Sequence, residues 1–210
     1  NIFSSSVPRK YILPQIIKDF SNKYPDVSFT LSDKDSKNVV QSILNADTDF
    51  GIVGAKHPYN NLDYIELMED NLVLITPNNS SYTEPNYSSL KLNTILNEKF
   101  IFREKGSGTR NLLENKLKEK GIDTKKLSVF AYIEDTETIK ELVSLGLGIS
   151  FISQKAIKDD IKLGKYKVYY VEDLNLYRKF YFVYHNKRQL SPLNETFKEF
   201  VLDYIEKISI

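Results

Sequence analysis

The chain has 210 residues, with 29 Lys plus Arg against 28 Asp plus Glu and no cysteine. A formal charge of +1 lacks the footprint of a protein that grips nucleic acid with its own surface, and the missing cysteines exclude disulfides, thiolate metal sites and thiol nucleophiles together. No stretch approaches the roughly 18 uncharged apolar residues of a membrane span, and no basic-then-apolar leader opens the chain, so it reads as soluble, unsecreted and cytoplasmic. It begins with Asn1 rather than Met, and Asn1-Ile-Phe-Ser already has strand character, which predicts a fragment or processed form lacking an N-terminal part.

Strand-like and helical runs alternate throughout, the pattern of α/β layers on a largely parallel sheet. Ile2-Phe3 leads through Ser4-Ser5-Ser6 into a helix carrying Ile12, Ile16 and Phe20 on one stripe and Leu13, Ile17 and Tyr24 beside it, closed by Pro25. A strand over 27–31, a helix over 35–45 and a buried strand over 50–54 complete one βαβαβ unit. Strands over 62–67 and 72–76 follow, then a turn-rich break from Pro77 to Pro85. The plan then repeats: strand 100–103, helix 107–120, strand 127–133, helix 136–145, strand 149–153. Strands over 166–171 and 179–184 precede a closing helix over 193–208, with Phe197, Phe200, Val201, Tyr204 and Ile208 inward. Two similar units suggest two lobes, with ligands expected in the cleft between them, where helices present their N-termini.

Three strand-to-helix turns carry hydroxyls: Ser4-Ser5-Ser6, Gly106-Ser-Gly-Thr109 and Asp135-Thr136. The free N–H groups of a first helical turn attract anions, and Gly106 and Gly108 remove Cβ atoms from the approach. Serine and threonine are also ordinary caps, but donors converging from both lobes would hold a small carboxylate or oxyanion. Glu134 and Asp135 oppose this: either they lie outside the pocket or the ligand also carries a positive group. Asp26, Asp33, Asp35 and Asp123 read as turn and cap residues.

Other chemistries fit worse. His57 and His185 lack metal-ligand spacing, no nucleophile elbow supports a Ser-His-Asp order, and the GSGT turn lacks the lysine and length of a phosphate-binding P-loop. Gly146 and Gly148 most simply end one helix and enter a strand. No cofactor or metal is expected, and no enzymatic activity.

Tyr11-Ile-Leu-Pro14, Phe20 to Pro25, Asp49-Phe-Gly-Ile-Val-Gly-Ala55, Leu72-Val-Leu-Ile75, Arg103-Glu-Lys-Gly-Ser-Gly-Thr-Arg110 and Glu137-Thr-Ile-Lys through Gly146-Leu-Gly-Ile-Ser-Phe-Ile-Ser153 resemble, in that order, the effector-binding domain of LysR-type transcriptional regulators. The resemblance covers essentially the whole chain. The 103–110 form and the ending Arg188-x-Leu-Ser-Pro192 look most like the cysteine, sulfur or selenium metabolism branch.

The resemblance implies a periplasmic-binding-protein type 2 fold of two Rossmann-like lobes, 1–76 plus 179–210 and 77–178, crossing near 76–79 and returning near 172–179. It implies a winged helix-turn-helix ahead of Asn1, through which alone DNA would be bound. It further implies a homodimer through this domain, a tetramer at full length, and a small effector between the lobes. That effector would be a sulfur-related oxyanion, a carboxylate or an amino-acid derivative. By matching position the effector contacts fall on Ser4, Ser5, Ser6, Ser107, Gly108, Thr109 and Asp135 or Thr136. Asp135 departs from the small hydroxyl residue of many relatives. A transporter's solute-binding protein is the alternative on this fold, whereas hydroxymethylbilane synthase would need a cofactor-bearing cysteine and a prephenate dehydratase a Thr-Arg-Phe where Thr109-Arg-Asn111 stands.

Overall fold

The computed structural model describes residues 1–208 and contains two compact units, Asn1–Glu69 with the chain from Lys179 onward, and Asp70–Arg178. The first unit opens with β1 (Ile2–Ser4), α1 (Ser6–Tyr11), α2 (Leu13–Lys23), β2 (Leu31–Asp33), α3 (Ser36–Leu44) and β3 (Phe50–Val53). One continuous helix is expected before Pro25, yet Ile12 (φ −120°, ψ −56°) divides it. Pro14 has no N–H for the carbonyl of Lys10, and its ring would crowd that carbonyl. β2 starts later than expected, because a turn holds the Val27 amide on the Tyr24 carbonyl and the pairing begins where Ile2 N–H reaches Thr30 O.

β2, β1 and β3 run parallel, with Ile2 opposite both Leu31 and Phe50, while β10 (Tyr177–His185) runs antiparallel to β3. The sheet is therefore mixed rather than largely parallel. On one face α3 places Val39, Val40 and Ile43 against Val53 and Val183. On the other, α2 and α7 (Pro192–Ile208) bury Ile16, Phe20, Phe197 and Val201, with the Phe20 ring meeting Phe197 and Phe200 edge-on at 5.1 and 5.2 Å. Phe200 and Tyr204 pack there part-buried, as the amphipathic stripe predicts; the Ile208 side chain lies outside the described residues.

β4 (Leu62–Pro77) is one long strand where two short ones are expected. The boundary between units falls within it, at Glu69/Asp70, and again within β10 at Arg178/Lys179. The change-over expected near 76–79 lies at the far end of this strand, which closes at Pro77.

The second unit adds β5 (Ser88–Leu90), α4 (Leu92–Ile95), β6 (Lys99–Arg103), α5 (Gly108–Glu119), β7 (Ser128–Ile133), α6 (Thr136–Ser144), β8 (Ser150–Ser153) and β9 (Tyr166–Val171). β6 and β7 pair in parallel, β8 and β9 lie antiparallel to β4, and β5 runs parallel to β9. Reciprocal bonds of 2.8 Å between Ile149 and the Lys99–Ile101 segment join β6 to the chain entering β8. Because successive strand residues face opposite ways, Leu72 and Leu74 enter the core under Leu113 and Leu117 of α5, and Val73 and Ile75 the core under Ile139 and Val143 of α6.

α6 ends as its glycine predicts. Gly146 (φ +81°) donates to Val143 O, and Leu147 N–H reaches back to Leu142 O, a complete Schellman closure. α3 closes the same way, but with Ala46 at φ +67°.

Candidate functional site

β6 ends in Arg103, and Glu104 to Gly106 turn the chain into α5. Gly106 takes φ +98°, a conformation that favours glycine. Ser107 then sits in the cap position, yet its side chain makes no capping bond although the residue is only 5% exposed. The first-turn amides of α5 thus lack the serine oxygen that normally occupies them. At the start of α6 the opposite holds: Asp135 accepts the Thr138 amide at 2.7 Å and the Thr138 hydroxyl at 2.8 Å. The carboxylate that would oppose an anion serves as that helix's cap.

Two buried arginines stand behind these helix starts. Arg178, at the end of the unit, donates through Nε to Asp70 Oδ2 at 2.8 Å, lies 2.7 Å from it through Nη2, and donates through Nη1 to Thr109 Oγ1 at 3.0 Å. Asp70 Oδ1 also accepts the Ser153 hydroxyl at 2.7 Å. Burial lowers the Arg178 pKa, the Asp70 carboxylate opposes this, and the charge of Arg103 lowers it further, so the two guanidiniums sense one another. Arg103 clasps both oxygens of Glu104, at 2.8 and 3.0 Å, and donates to Thr136 Oγ1 at 3.1 Å.

In the first unit Ser5 is the cap residue of α1 and likewise makes no capping bond; its hydroxyl has only a long 3.5 Å contact to Ile52 O. Ser4 is fully buried and donates to Ser5 O at 3.1 Å, while Ser6 Oγ lies 3.5 Å from Asp33 Oδ1, the carboxylate that pairs with Arg9. The sequence-predicted residues thus fall on three helix starts, Ser4, Ser5 and Ser6 in one unit, and Ser107, Gly108, Thr109, Asp135 and Thr136 in the other.

Residues 1–206 match the LysR substrate binding domain. The chain belongs to that family. It is 32% identical over 95% of its length to an uncharacterized HTH-type transcriptional regulator of Methanocaldococcus jannaschii, covering 67% of that protein, and 30% identical over 96% of its length to the HTH-type transcriptional activator CmpR of Synechocystis, covering 64%. The chain therefore spans about two thirds of the length of these relatives. Among solved structures, the effector binding domain of QuiR in complex with shikimate superposes with a TM-score of 0.85 at 20% identity, covering 98% of this chain and 96% of that one. The regulatory domain of Synechocystis CcmR in complex with 2-PG gives 0.84 at 23%, covering 97% and 96%. The fold is that of LysR effector-binding domains.

Within this LysR domain, no sequence motif singles out Arg178 or Asp70, and Arg103 stands out in the sequence only as the end of a strand and the start of the 103–110 motif. A cationic residue closing the buried run Phe100 to Phe102 was the available signal, since Arg103 is itself 7% exposed. The histidines are placed elsewhere: the Tyr64 hydroxyl donates to His57 O, burial lowers the His57 pKa, and His185 Nε2 lies 3.0 Å from Asn61 Nδ2. Among the described residues no group of three His, Cys, Asp or Glu could hold a metal ion. A cavity of about 400 Å³ lined by Tyr82, Lys99, Leu147 and neighbours lies where β6 and β8 begin, beside the C-terminal end of α6 and at the other end of the strands from the starts of α5 and α6.

Proposed function

We propose that this chain is the ligand-sensing part of a LysR-type transcription regulator, acting in the cytoplasm, and that a small anion is its signal. The observation that carries the reading is the α5 start, where Ser107 leaves the first-turn amides uncapped and Thr109, like Thr136 at the α6 start, is buried and bonded to a guanidinium. Ser107, Gly108, Thr109 and Thr136 are the contacts from the second unit, with Asp135 ordering the α6 turn as its cap; Ser4, Ser5 and Ser6 are those the first unit would contribute. Binding changes the output of a winged helix-turn-helix outside this chain only by the anion's affinity difference between two conformations. Homodimerisation draws support from edge strand β7, whose Phe130 and Tyr132 are 49% and 56% exposed.

The relatives are transcription regulators, which favours this reading over a transporter's solute-binding protein. The carboxylate and phosphate-type ligands named for QuiR and CcmR widen the candidates beyond sulfur oxyanions, and assignment to the cysteine and sulfur branch rests on the 103–110 and 188–192 motifs alone. Thermal-shift titration with 2-PG, shikimate, sulfate, thiosulfate, acetate and O-acetylserine tests the proposal. At least one anion raises the melting temperature in a saturable way, and no response to any of them contradicts it.

A further inference from the structure

The threonines that open α5 and α6 share an arrangement that decides what they can recognise. A hydroxyl has one proton to donate and lone pairs to accept with, whereas a guanidinium only donates. Thr109 Oγ1 accepts from Arg178 and Thr136 Oγ1 accepts from Arg103, and among the described residues neither hydroxyl donates a hydrogen bond. Both threonines are at least nine-tenths buried, at 5% and 9% exposure, and so is Ser107 between them in function, whose hydroxyl is not used as a cap. The positive charges behind them are already met, Arg178 by Asp70 and Arg103 by Glu104. A group arriving at these helix starts meets oriented O–H and N–H donors, not a bare cation.

We propose, on the effector reading above, that Arg178 and Arg103 are positioning residues that fix Thr109 and Thr136 as donors, so that this unit selects ligands presenting a carboxylate or phosphate oxygen over the neutral ester of the same molecule. A helix start alone would accept many acceptors, and a free arginine would bind by charge. Hydroxyls polarised by guanidiniums in a buried setting favour a charged acceptor. Because each cation is neutralised locally, the preference persists as salt rises.

The test is calorimetric titration of 2-PG, shikimate and shikimate methyl ester into wild type, Thr109→Ser, Thr109→Val and Arg178→Lys, at low and high NaCl. Wild type and Thr109→Ser favour shikimate over its ester by roughly tenfold or more. Thr109→Val and Arg178→Lys lose that ratio, chiefly by weakening the acid. An acid-to-ester ratio unchanged in Thr109→Val, or abolished by salt in wild type, overturns the positioning role. If Thr109→Val fails to fold, Thr136→Val carries the same comparison through Arg103. Failure of both acids to bind wild type overturns the selectivity proposed here, whereas silence of every anion in the thermal-shift series overturns the effector reading itself.

Discussion

Asp35 and Asp135 hold equivalent places in the two units, each capping the helix that joins the second and third strands of a βαβαβ run. Asp35 accepts the Asn38 amide at 2.9 Å and Asp135 the Thr138 amide at 2.7 Å. A shared structural task explains an acidic residue at a helix start otherwise suited to anions. Asp135→Ala therefore costs about 1 kcal/mol of stability, as Asp35→Ala does, and Asp135→Asn restores most of it. Urea unfolding of the three variants checks this.

The same equivalence exposes a mismatch at the C-terminal ends of those helices. Gly146 takes its left-handed turn freely, whereas Ala46 does so with a Cβ. Ala46→Gly should stabilise the protein by about 0.5–1 kcal/mol and Gly146→Ala should destabilise it by about 1 kcal/mol or more. Opposite shifts in the unfolding midpoint are the expected signature.

Gly148 is constrained by space rather than by φ. A Cβ there would lie 2.5 Å from Lys99 O, a backbone atom in the β6 ladder that cannot move aside alone. Gly148→Ala should cost about 1–3 kcal/mol, measured by the same unfolding experiment.

Asp160 links Lys140 of α6 to Tyr166 of β9, at 2.6 and 2.8 Å. Burial raises its pKa, but the hydrogen bonds from Lys140 and Tyr166 outweigh that, and the net shift is downward from 3.8. A carboxylate with a lowered folded pKa contributes stability that is complete above its unfolded pKa and lost as pH falls through the folded one. Asp160→Asn is thus expected to cost about 1.5–3 kcal/mol at pH 7, with the gap to wild type narrowing below pH 3.8. Denaturant curves at neutral and acid pH report it.

Much of this was legible in the sequence because it is local. Periods of 3.6 and 2 exposed the repeated βαβαβ plan, Asp35 and Asp123 cap as their types suggest, and Gly146 closes its helix. What was hidden depends on distant partners. Asp70 and Arg178 are 108 residues apart and Thr109 and Arg178 69 apart, so no spacing rule brings them together. Strand direction was hidden for the same reason, since the antiparallel placement of β10, β8 and β9 is decided by pairing rather than by periodicity. The three-residue β5 and four-residue α4 are too short to show a period.

The uncapped first turn of α5 is proposed to receive the anion. Because the Ser107 hydroxyl caps nothing, Ser107→Ala separates binding from folding. Calorimetric titration of 2-PG into wild type and Ser107→Ala is expected to show affinity falling roughly five- to a hundredfold, about 1–3 kcal/mol, while unfolding stability changes by no more than about 0.5 kcal/mol. Equal affinity for 2-PG in the two proteins would show that the α5 start does not hold the anion.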